Sequence, residues 1–215
     1  HPARAALRPM EPILRAAADR LIHHTAYLAY VAGEMTPEEL EERCEASGYT
    51  MRETIGHCVL WMERFVSLVH LLLTEGAAAY ERPNADAVNA DEREAMGSDD
   101  REGLLRRMAV ARDAIIAEYA TATAPRLSEP LGDDTIGETI HRWTAHLERH
   151  ALDFAETLPE LRYDPLLLDW ALSANLKNAD EAARQARFIE DVRAYLASLP
   201  DDEDDDEDED ENEAE

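Results

Sequence analysis

Residues Ile136 to Leu158, IGETIHRWTAHLERHALDFAETL, constrain the fold more tightly than any other stretch. Ile136, Ile140, Trp143, Leu147, Ala151, Phe154 and Leu158 recur at steps of three and four, the spacing that lines one buried face of an amphipathic helix. The pattern predicts a single long helix. His146 and His150 sit beside the apolar stripe, four residues apart. Four α-helical residues rise by about 6 Å and turn little more than once, so both imidazoles leave on the same side. That is the spacing with which one helix offers two nitrogens to one metal ion.

The rest of the chain has the same helical character. Only 8 glycines occur in 215 residues, hydrophobic residues make up 45%, and no alternating Val/Ile/Thr pattern suggests a strand. The class is all-α. Four core helices are expected. The first runs from Met10 to Gly33 through Leu14, Ala17, Leu21, Ala26, Leu28 and Val31. The second opens at Thr50, where Glu53 three residues on makes a capping box, and ends at Gly76. The third is capped by Ser98 or Asp99 and runs to about Thr123, and the fourth is capped by Asp133 or Asp134. A further helical hairpin follows, with one helix over Leu166 to Leu176 and one from Asn178 or Asp180 to Leu199. In the latter, Ala183, Ala186, Phe188, Ile189, Val192 and Leu196 are expected to be buried. The domains read as a bundle over 1–160, a helical extension over 161–200 and a tail over 201–215.

Charge excludes several functions. Of the formal net charge of -27, thirteen acids fall in residues 201–215 with no base, leaving -14 on residues 1–200. The tail is expected to be disordered, and no basic patch suits a nucleic acid. Two cysteines, Cys44 and Cys58, form no disulfide framework, the opening HPARAALRPM lacks a secretory apolar core, and no apolar run approaches the length of a membrane span. These features point to a soluble cytoplasmic protein with neither nucleic-acid nor membrane partners.

A third imidazole is available on the second helix, where His57 follows TMRETIG. Three protein ligands with one open position are the catalytic rather than the structural pattern for zinc-like metals. The remaining histidines read differently. His23 and His24 point about 100° apart and cannot pair on one metal, so one reads as a boundary residue and the other as solvated. His70 and His141 read as polar positions on helix faces. Glu138 and His141 form one E-x-x-H, whereas a carboxylate-bridged di-iron bundle needs two. Cys58 reads as a structural thiol. Trp61 and Trp143, one turn from His57 and His146, either pack the core or wall a metal pocket, and Tyr27 and Tyr30 are open in the same way.

The segment Thr50 to His57, the run H146-L-E-R-H150 and the helix order together resemble the DinB-like superfamily, which includes mycothiol- and bacillithiol-dependent S-transferases. The resemblance covers roughly residues 10 to 158. It implies an antiparallel four-helix bundle in up-down-down-up order, a divalent metal (zinc or nickel) held by His57, His146 and His150, a low-molecular-weight thiol activated at that metal, and a homodimer. The expected function is a metal-dependent transferase activating a thiol, or water, against a small-molecule substrate. The alternative is a non-catalytic dimeric bundle with structural or vestigial histidines. Asp153 stands where many members carry glutamine; it either orients an imidazole or is a surface acid.

Overall fold

The computed structural model describes residues 10–81, 100–158, 163–174 and 179–198. The acidic tail, Ser98 and Asp99 lie outside the described residues, as does most of the long connection after the second helix. The architecture is all-α, built on α1 (Pro12–Glu34), α2 (Met51–Thr74), α3 (Arg101–Tyr119), α4 (Ile136–Thr144), α5 (Ala151–Thr157), α6 (Pro165–Ser173) and α7 (Ala179–Ser198). The strand content among the described residues is a two-residue antiparallel ribbon, Pro130–Leu131 with Asp134–Thr135, turned at Gly132 with φ 66°.

Three of the core helix starts have a side-chain cap. Thr50 accepts from the Glu53 amide while Glu53 accepts from the Thr50 amide, the reciprocal cap expected from sequence. Asp100 accepts from the Gly103 amide and so caps α3, which ends at Tyr119, short of Thr123. The cap of α4 is Thr135, in a second capping box with Glu138, and not Asp133 or Asp134. The threonine pairs with a carboxylate three residues on, whereas the ribbon already holds Asp134.

α2 packs along the length of α3, and α1 packs against both α3 and α4. Leu14, Leu21, Leu28, Ile55, Met62, Leu72, Ile115, Ile140 and Phe154 meet in the shared core. Ala26 is exposed, contrary to the expected face of α1. Against the expectation that no apolar stretch reaches span length, α2 has the length and composition of a membrane span. Even so, 44% of that window is buried inside the protein.

The largest departure from the sequence reading is in the last helix of the core. It is not one helix from Ile136 to Leu158. Ala145–His150 forms a 3-10 segment between α4 and α5. The change begins at Thr144, whose buried hydroxyl bonds the Ile140 carbonyl at 2.9 Å and the Tyr119 hydroxyl at 2.8 Å. Such back-bonding from a helical threonine bends the helix. At three residues per turn the pitch tightens, and residues four apart diverge by roughly 120° instead of about 40°.

α6 packs on α5 and α1, burying Leu167, Trp170 and Ala171. Its Asp164 cap also receives the Tyr30 hydroxyl at 2.8 Å, and Tyr27 donates to Asp169, so both α1 tyrosines tie the extension to the bundle. α7 buries Phe188 and Val192, while Ala183, Ala186 and Leu196 stay exposed, a narrower contact face than its periodicity suggested.

Candidate metal centre

His57 projects from the second turn of α2, and His146 and His150 from the 3-10 segment. The Nε2 atoms of His57 and His146 lie 3.1 Å apart, and those of His150 and His146 lie 3.4 Å apart. One ligand nitrogen from each ring falls within 4.8 Å of the other two. All three sequence-predicted ligands therefore converge, despite the tighter pitch that separates the two on one segment.

Those separations suit a metal. Four nitrogens placed tetrahedrally at about 2.0–2.1 Å from zinc lie roughly 3.4 Å from one another. The ring orientation suits it as well. His150 donates from Nδ1 to Asp153 Oδ2 at 2.9 Å. A carboxylate only accepts, so in the neutral ring the proton sits on Nδ1 and the Nε2 lone pair faces the centre. Asp153 is thus an orienting group and not a surface acid: it is 4% exposed.

Aromatic rings fix the other two histidines. Trp61, one turn after His57 on α2, stacks on His146 with centroids 4.5 Å apart and planes 11° apart. It walls the site, whereas Trp143 packs towards Phe65 and Tyr80. Tyr49 stacks on His57 at 5.7 Å. Tyr49 is delivered by a tight turn in which the Gly48 amide donates to the Cys44 carbonyl and the Cys44 amide to the Tyr49 carbonyl. Gly48 at φ 70° makes that turn possible.

Electrostatics favour a neutral, ligand-ready His146. Desolvation, and then the charges of His150, His57 and Arg149, push the His146 imidazole well below its usual value. Burial alone would raise the Asp153 carboxyl. The hydrogen bond and charge of His150, followed by those of Arg184, outweigh burial and hold it below the ordinary carboxylate value.

A cleft of about 470 Å³ opens onto His146 and His150, walled by Ser47, Arg149, Arg184 and Arg187. Two of the three histidines thus border on open space, and His57 lies behind them. Arg184 and Cys44 are the neighbours that sequence reasoning missed. Arg184 donates to Asp153 Oδ1 at 2.8 Å, and the Cys44 thiol points at the same oxygen at 3.4 Å. The signal was present in α7: Arg184, Phe188 and Val192 fall on one face at steps of four, an arginine on the buried stripe.

His24 is buried instead of lying at a boundary, as one of the adjacent pair was expected to. Its Nε2 meets Glu148 Oε1 at 2.7 Å, and Arg20 bonds the same carboxylate. His23 is exposed. His70 pairs with Glu118 at 3.1 Å on the surface, and Glu138 serves the α4 cap.

The family model for the DinB superfamily matches residues 20–153. The matched span contains all three histidines and Asp153, and ends before α6 and α7. No curated protein and no solved structure matches the chain.

Proposed function

The chain belongs to the DinB superfamily, and from that premise we propose that it is a divalent-metal-dependent enzyme using His57, His146 and His150 as ligands. The observation that carries the reading is the convergence of three Nε2 atoms at metal-ligand spacing. His150 is held in the ligating tautomer by Asp153, and a cleft reaches the centre from outside. A divalent ion there, zinc or nickel, would act as a Lewis acid that lowers the pKa of a thiol or water entering the open position.

The protein's own groups then have defined tasks. Trp61 and Tyr49 hold two rings in plane by stacking, and Asp153 holds the third by a hydrogen bond. The cleft admits the small-molecule substrate. Among the described residues, neither cysteine is placed as a nucleophile: Cys58 is fully buried, and Cys44 is turned to Asp153. An external nucleophile fits this arrangement, and a low-molecular-weight thiol conjugated to an electrophile is the most concrete form of the reaction.

Elemental mass spectrometry of the tag-free protein tests the metal. About one ion per chain, lost in His146→Ala while far-UV helicity persists, is the expected result. A wild-type protein that remains empty after incubation with zinc, nickel, iron and manganese would overturn the proposal. Given a loaded protein, turnover of an electrophile that depends on added thiol separates an enzyme from a merely stapled bundle.

A further inference from the structure

α7 lies outside the residues matched by the family model, yet one of its side chains enters the candidate site. Arg184 is held at both edges of its guanidinium. Nη1 donates to Asp153 Oδ1 at 2.8 Å, and Nε donates to Glu156 Oε2 at 2.7 Å. The side chain is 16% exposed, and its Nη2 also lies 3.8 Å from Cys44 Sγ. Asp153 is shared in consequence. One oxygen belongs to Arg184 and Cys44, and the other is left for the His150 Nδ1 proton.

A carboxylate held through one oxygen is restrained in its rotation, so the other oxygen orients the imidazole it accepts from. Planar, two-edged recognition of this kind belongs to arginine and is not reproduced by lysine. We propose that Arg184 is a positioning residue for the metal centre, bracing Asp153 so that His150 Nε2 aims at the ion. The C-terminal extension is then a structural part of the site. This inference rests on the metal-binding reading above, and it assigns to Arg184 a share of the affinity for the ion.

The test is a double-mutant cycle on full-length protein, with zinc affinity read by competition against a chromophoric chelator. Arg184→Met keeps the stem and removes the fork. It is expected to weaken zinc binding at least about tenfold, the scale of lost outer-shell partners. Asp153→Asn should weaken it similarly, and adding Arg184→Met to Asp153→Asn should cost almost nothing more, because the arginine acts through the carboxylate. Glu156→Gln, which spares the Asp153 contact, should change affinity much less. If Arg184→Met does not fold, Arg184→Lys carries the same comparison with a smaller expected loss.

Wild-type affinity in the Arg184 variants, or losses that simply add in the double variant, would overturn the role of Arg184 while leaving the three-histidine site standing. A wild-type protein without zinc affinity would remove both readings together.

Discussion

His146 is the histidine most altered by its surroundings. It lies under Trp61 with two other imidazoles facing it. In the unfolded chain its ring takes a proton near 6.5, and in the folded protein only well below that. The unfolded state therefore binds more protons as pH falls through the ordinary imidazole range. The stabilising contribution of a neutral His146 is intact above that range and is lost below it. Urea unfolding of metal-free protein should show stability falling from about pH 7 to about pH 5, and His146→Gln should flatten that slope. An equal slope in the variant would assign the effect to other groups. Asp153 acts in a lower window: its depressed carboxyl contributes stability that disappears only as carboxylates protonate.

At the scale of the element, the segment between α4 and α5 departs furthest from its sequence. The apolar steps of three and four from Ile136 to Leu158 fit an α-helix and a short 3-10 interruption almost equally, since six residues are too few for the two periods to drift apart. What selects the tighter pitch is tertiary: the Thr144 hydroxyl is shared between the Ile140 carbonyl and Tyr119 of a different helix. Thr144→Val removes both bonds and leaves the buried Tyr119 hydroxyl unpaired, a cost of about 1–3 kcal/mol. The variant should show that loss in chemical denaturation and weaker metal uptake as the segment relaxes. Unchanged stability would mean the threonine does not anchor the segment. The clustering of His57, His146 and His150 was legible because each residue lies in a motif shared with a family and at a spacing with chemical meaning. The period of α7 places Arg184 on the buried stripe, but 31 residues and a chain reversal separate it from Asp153, so the sequence does not record which residue it meets.

For the molecule as a whole, the extension and the bundle share one core. Trp170 of α6 is fully buried, stacks with Tyr27 of α1 at 5.9 Å and lies against Phe154 of α5. Its periodicity showed that α6 was amphipathic but not what its face would meet, so the sequence reading drew a boundary near residue 160 that the packing crosses. Trp170→Ala should cost about 3–5 kcal/mol, the range for deleting a fully buried aromatic ring. Fluorescence and circular dichroism should then report a single transition at a lower denaturant midpoint. Two separated transitions would show that the extension unfolds by itself.

The 3-10 segment has a consequence for how this stretch can change over generations. His146 and His150 meet in the histidine cluster, Leu147 is fully buried, and Glu148 meets Arg20 and His24 of α1. Arg149 is exposed, with Glu181 as a distant partner at 3.8 Å. Four of these five consecutive positions thus answer to three different sets of neighbours, and one is left over. In a saturation library, almost every accepted substitution in this window should fall on Arg149. Variation at the cleft would enter through Arg149, itself one of its walls, and through the walls contributed by other elements.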